Sequence, residues 1–377
     1  MILPRLRDPH FNYRHRRKLH VLRVLLALVI TFTIIHVFPI HHSSWALVST
    51  IMVMGNLPHI GGVLDKGRQR LLGTLLGAGW GLALILLPLP VPLLVPAGAL
   101  AGIGVATWLT FGNRHGYSGL MFAISLLLVI GDGSHDLTLG LWRTFDVLLG
   151  TLVGIAVTVL VLPQKATDML RFMLAENLDR MARLYHAHTS ATDAVDIDTR
   201  TLLKATSAML VKQRGLVDAI HRERRLRRGE VDDIISLQRR MLSTIELLLE
   251  THWTTRAGHE RIDAMVGLRE EQHVLARVLG SLAFQVRTGQ PIEARVHPFD
   301  LQRHAELACN ARTDSGRALF SPSGYLWLNR ELARLTEALV DRLGSLDRLP
   351  SRRLRSASRR SGSVATQAPH EQGKRDE

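Results

Sequence analysis

Three basic residues at alternate positions, Lys66, Arg68 and Arg70, lead into a long apolar run, and a fourth, Arg143, leads into another. An anion entering a bilayer loses its hydration, and an ammonium or guanidinium at a helix end can replace it with charge-assisted hydrogen bonds. The competing reading is positional: Lys and Arg flanking an apolar span anchor it against lipid phosphate and set its orientation. For Lys66, Arg68 and Arg70 the two readings weigh equally. Arg143 has a third, a local ion pair with Asp146 three residues on. His36, His41, His42 and His59 lie at the edges of apolar runs, where imidazole either carries protons or simply sits at an interface. Asn56 is polar inside an apolar segment, so it hydrogen-bonds a neighbouring helix or touches a permeant molecule.

Other chemistries find no footing. The sequence has no phosphate-binding Gly-x-x-x-x-Gly-Lys-Ser/Thr loop, no His-Glu-x-x-His pair, no dinucleotide glycine fingerprint and no Gly-x-Ser-x-Gly elbow, so no enzyme, cofactor or metal centre is expected. Cys309 is the single cysteine, which rules out a disulfide framework within the chain. The net charge of +14 is split into two basic flanks around a nearly neutral centre. That distribution suits membrane topology and anionic lipid rather than nucleic acid.

The elements that must position these residues follow from the apolar runs. Between Val24 and Leu162 the charged residues are only Asp65, Lys66, Arg68, Arg70, Arg114, Asp132, Asp136, Arg143 and Asp146. Six spans are expected, over 19–38, 45–63, 71–89, 91–111, 117–130 and 144–162, most near the ~20 residues that cross a bilayer. The fifth is the short one. Lys and Arg collect before span one, between spans two and three and between spans four and five, which places that side and both termini in the cytoplasm. Leu71-Leu72-Gly73-Thr74-Leu75 with Gly77 recurs as Leu148-Leu149-Gly150-Thr151-Leu152 with Gly154. Three spans per repeat is an odd number, so the halves are expected to be inverted. Gly73, Gly77 and Gly81 share a helix face, as do Gly150 and Gly154, and this spacing lets backbones approach closely. The uncleaved first span follows a basic segment, 1–18, and the membrane region ends at 163. Residues 164–349 read as a cytoplasmic helical domain, with helices near 166–189, 199–228, 230–256, 260–288, 299–312 and 324–347. Gly229 and Gly258 stand where C-caps belong, and Asp198 marks a helix start. The basic group Arg222, Arg224, Arg225, Arg227 and Arg228 reads as a solvated helix end. The Ser/Arg-rich tail, 350–377, reads as disordered.

The segment Gly61-Gly62-Val63-Leu64-Asp65-Lys66-Gly67-Arg68-Gln69-Arg70-Leu71-Leu72-Gly73-Thr74-Leu75 resembles the signature of the fusaric-acid-resistance-like family, which includes bacterial aromatic-acid exporters. It is also similar to the Lys-Gly-x-x-Arg-x-x-Gly-Thr-Leu stretch of the plant aluminium-activated malate transporters. The resemblance covers the six-span region. It implies an all-α membrane protein of the inner membrane, in which a six-helix bundle of two inverted repeats carries a cytoplasmic helical domain and moves organic, aromatic or carboxylic, anions by efflux or as a channel. By position it assigns Lys66 and Arg70 to the path, with Arg143 following from the internal repeat. Exporters of this type often carry two membrane blocks where this chain has one, so a homodimer is expected, with periplasmic or envelope efflux partners a further expectation. The alternative is a membrane-anchored sensor or scaffold that transports nothing.

Overall fold

The computed structural model describes residues 9–38, 44–55, 58–86, 93–112, 115–131, 137–189, 198–223, 226–250, 267–299 and 322–347. Asn56, His41, His42, Cys309, Gly258, the expected helix 299–312 and the tail 350–377 lie outside these. Among the described residues every regular element is a helix. A short helix α1 (Pro9–Arg14) leads into α2 (Arg16–Val37) and α3 (Ser44–Met54). These are followed by α4 (Ile60–Leu86), α5 (Leu94–Thr110), α6 (Gly116–Ile130) and α7 (Leu137–Leu160).

Helices α2, α4 and α7 have the length and apolarity to cross a bilayer, while α3, α5 and α6 are shorter apolar helices of 11, 17 and 15 residues. The bundle is inside out relative to a soluble protein. Its outward residues include Leu25, Val29, Leu76, Leu100, Trp108 and Phe111, all exposed. Its buried residues include Thr31, Ser49, Thr50, Thr74, Ser125 and Thr151. A continuous apolar surface of this kind belongs against lipid, with polar groups turned to the bundle interior.

Two boundaries differ from the sequence expectation in ways that matter. The second span stops at Met54 because Gly55 takes a left-handed φ of +44° and Pro58 follows, so α3 spans about 16 Å at 1.5 Å per residue. It is therefore shorter than the fifth. The third and sixth spans start earlier, at Ile60 and Leu137, which puts Lys66, Arg68, Arg70 and Arg143 inside helices rather than in loops.

Helix α4 packs on α6, and α7 packs on α3, through glycine. Cβ atoms added at Gly73 and Gly77 would collide with Ser118 O and Phe122 O; at Gly150 and Gly154 they would collide with Ala46 O and Val53 Cγ1. A Cβ at Gly81 would come within 3.0 Å of Val129 Cγ1, closer than an ordinary contact. Around these two contacts, α2 packs on α3 and α7, α5 packs on α6 and α4, and α4 lies against α7.

Beyond Pro163 the chain builds a second core from α8 (Ala166–Thr189), α9 (Thr199–Arg214), α10 (Val217–Arg222), α11 (Arg228–Glu250), α12 (Leu268–Thr288) and α13 (Pro322–Asp347). Its centre holds Leu178, Met181, Tyr185, Ile245, Leu279 and Leu339. Asp198 caps α9 by accepting from Thr201 N at 3.0 Å. The helix expected over 199–228 breaks at Gly215 into α9 and α10, and Gly229 lies in the first turn of α11 rather than at a C-cap. The basic group is also partly engaged: Arg222 pairs with Asp65 of α4 at 2.8 Å, and Arg228 with Asp218 at 3.5 Å.

Gly79 and Gly104 have open space where Gly77 and Gly150 have backbone. Leucine at Gly77 or Gly150 is expected to lower the stability of detergent-purified protein by about 1–3 kcal/mol or more through overpacking. Leucine at Gly79 or Gly104 should leave the unfolding midpoint within a degree or two of wild type, and thermal unfolding of the four variants checks this.

Candidate functional site

Arg70 is the centre of the buried polar groups in the bundle. Its helix α4 is drawn against α6 by Gly73 and Gly77, and Arg70 is 3% exposed. Arg70 Nε donates to Ser49 Oγ at 3.0 Å, and Nη1 donates to Tyr117 OH and approaches Met121 Sδ, each at 3.0 Å. Ser49 Oγ in turn donates to Val147 O at 2.7 Å and lies 3.0 Å from Thr151 Oγ1. The guanidinium thus touches hydroxyls and thioethers contributed by α3 and α6. Among the described residues no carboxylate pairs with it. A buried charge without a counter-charge is costly, and here only neutral acceptors offset that cost.

A turn closer to the helix start, Lys66 Nζ lies 5.1 Å from the centroid of the Tyr117 ring and beside Gly55. Arg23 of α2 completes the group. It is 1% exposed, donates from Nη1 to Pro58 O at 3.2 Å, and leaves Nη2 buried without a partner. His20 Nε2 contacts Gly55 O at 2.7 Å. The break between α3 and α4 is therefore surrounded by Arg23, His20 and Lys66, with Arg70 about one turn deeper.

The other sequence candidates fall elsewhere. Arg68 is exposed on the outer face of α4. His59 is buried and accepts from Gly62 N at 3.0 Å, which makes it the N-terminal cap of α4. Arg143 donates from Nη1 to Leu128 O at 2.8 Å. Leu128 and Tyr117 are eleven residues apart on α6, about 16 Å of helix, so Arg143 lies toward the opposite end of the bundle from Lys66. The ion pair expected between Arg143 and Asp146 is not made: Asp146 is wholly buried with both carboxylate oxygens unpartnered. Arg143 instead reaches across to the backbone of α6, although three-residue spacing would have allowed the pair. Arg23, Tyr117 and Ser49 were not singled out from the sequence, and Asp146 entered only as a local partner for Arg143. Arg23 read as part of a basic flank, and the others are ordinary residues until packing assembles them.

Fold and site together define a multi-pass helical membrane protein whose interior holds basic groups that no acidic side chain pairs with among the described residues. The chain belongs to the fusaric acid resistance protein family, whose model matches residues 17–373. It is 31% identical over 330 residues to the inner membrane protein YeeA of Escherichia coli strain K12, covering 87% of this chain and 93% of that protein. It is 24% identical over 206 residues to aluminum-activated malate transporter 7 of Arabidopsis thaliana, covering 50% of this chain and 40% of the transporter.

Tyr117→Phe removes one acceptor from a buried guanidinium and keeps the ring beneath Lys66. The expected cost is about 1–3 kcal/mol of stability, read as a lower unfolding midpoint. Ser49→Ala should cost as much, since it strips Arg70 Nε of its acceptor. Equal midpoints for wild type and both variants would show that Arg70 does not depend on these hydroxyls.

Proposed function

We propose that the chain is an inner-membrane transporter for organic, aromatic or carboxylic, anions, with Arg70 and Lys66 on the path and Arg143 at its other end. The observation that carries this reading is the buried Arg70 guanidinium, which is held by neutral groups and offers its charge to no carboxylate among the described residues. A permeating carboxylate supplies the missing charge, and Lys66 and Arg23 provide successive contacts toward the α3–α4 break. Membership of the family, the similarity to an inner membrane protein and the partial similarity to a malate transporter support the same assignment.

In this reading the bundle, 19–163, consists of two inverted three-helix repeats. Supporting it, α4 on α6 is matched by α7 on α3, α2 on α3 by α5 on α6, and α2 on α7 by α5 on α4. These are the pairs that exchange when spans one to three are swapped for spans four to six. The basic segment 1–18 and the helical domain 164–349 then lie in the cytoplasm. The second membrane block of larger exporters is supplied by a second copy, and envelope partners would extend the route outward.

The test is flux. Vesicles bearing purified wild-type protein and loaded with radiolabelled malate or benzoate should release label faster than empty vesicles. Arg70→Ala and Lys66→Ala should slow release by at least about ten-fold, as expected when a charge-assisted contact of 1.5–3 kcal/mol is lost from the path. Arg68→Ala should release label at the wild-type rate. A wild-type protein that moves no acid from a broad panel would instead favour the non-transporting scaffold, for which the large core of α8–α13 is the supporting observation.

A further inference from the structure

At one end of the bundle α1, the last turn of α7 and the first two turns of α8 line an open cavity of about 540 Å3, beside Ile60 at the start of α4. Leu160, Leu162, Met169 and Phe172 give it an apolar and aromatic lining. Two buried amides, Asn12 and Gln164, also line it. Gln164 Nε2 donates to Asn12 O at 3.1 Å, but Asn12 Oδ1 and Gln164 Oε1 are buried with no partner, on residues 8% and 5% exposed. Among the described residues no donor reaches these two acceptors, whose side chains line one cavity.

The rim provides charge. Arg16 is fixed in place, 4.6 Å from the centroid of the Tyr13 ring and donating to Tyr13 O at 3.3 Å. Lys165 and Asp168 also line the cavity, and neither makes an ion pair with the described residues. The first N–H groups of α8 are unavailable to a ligand, since Glu223 accepts from Ala166 N at 2.7 Å and Thr167 N at 3.3 Å. Any anion here must therefore be held by Arg16 and Lys165. The cavity sits where the apolar span α7 ends and α2 begins, with Arg17 and Lys18 exposed beside it. That is the depth of phospholipid headgroups.

We infer that this cavity binds the headgroup of phosphatidylglycerol. The phosphate lies between Arg16 and Lys165, the glycerol hydroxyls donate to Asn12 Oδ1 and Gln164 Oε1, and the acyl chains leave along Leu160. Arg16, Lys165 and Asp168 together carry one net positive charge, which an anionic headgroup neutralises. Phosphatidylethanolamine would leave that charge standing. Phosphatidylcholine has the phosphate but no donor for the amides. Because the cavity is shared by α1, α7 and α8, a bound lipid would tie the helical domain to the membrane. The inference does not depend on the transport reading.

The test is lipid retention by full-length, delipidated protein, measured by native mass spectrometry after exposure to mixed micelles of one phospholipid at a time. Phosphatidylglycerol should be retained roughly ten-fold more than phosphatidylcholine, and Arg16→Gln with Lys165→Gln should remove that difference. The charge-matched control Arg183→Gln with Arg334→Gln, exposed and distant, should preserve it. Photoactivatable phosphatidylglycerol should label peptides 9–18 and 160–172 of the unaltered protein, which guards against a misfolded variant. Glycerol phosphate should fail to compete. Equal retention of phosphatidylcholine, a preference for phosphatidylethanolamine, labelling confined to other peptides, or displacement by glycerol phosphate overturns the assignment.

Discussion

The close approach of α4 to α6, and of α7 to α3, is the contact on which the membrane bundle depends. At Gly73, Gly77 and Gly150 there is no room for a Cβ beside the facing backbone. In lipid, helices gain little from burying apolar side chains, because the acyl chains are equally apolar, so close backbone packing and hydrogen bonds between helices carry more of the association. The same approach decides what the bundle contains. Drawn in by Gly73, α4 brings Arg70 within 3.0 Å of Ser49, Tyr117 and Met121 at once. A longer interhelical distance would leave the guanidinium in a gap, and hydration rather than fixed hydroxyls would then surround it.

The second consequence of that geometry is a division of the basic residues that their sequence positions conceal. Lys66, Arg68 and Arg70 occupy consecutive alternate positions, yet a helix turns 100° per residue. Arg68 is thereby carried to the lipid-facing side while Lys66 and Arg70, four residues apart, share the face toward Tyr117. The rotation separates the two arginines in burial, Arg68 being exposed and Arg70 buried. In the proposed reading only Arg70 and Lys66 then serve the path.

Much of the fold is legible in the sequence because its signals are local. The apolar runs, the glycine spacing and the capping Asp198 each act over a few residues, and the structure places helices where they occur. The helix starts were misjudged where a polar residue was taken to end a span. A buried cation is compatible with a membrane helix once neighbouring helices supply acceptors, and the α4 sequence alone does not show those acceptors. The burial of Arg23 and Asp146 was not foreseen for the same reason: it depends on contacts with other helices. The Arg222–Asp65 pair was also invisible, since it joins residues 157 positions apart.

The internal repeat sharpens what the site can be. At constant offset it aligns Lys66 with Arg143, but Arg70 with Val147 and Gln69 with Asp146. The ends of the two repeats thus keep a basic residue each, while the middle is divided: one half contributes a guanidinium and the other a carboxylate turned inward without a partner. A path built on a strict two-fold would present the same charge from both sides. Here the central cation faces only neutral groups from α3 and α6, and the acid stands elsewhere in the interior. In the proposed reading the polarity of the path is set by substitutions at two repeat positions, while the glycines that both segments retain hold the helices in register.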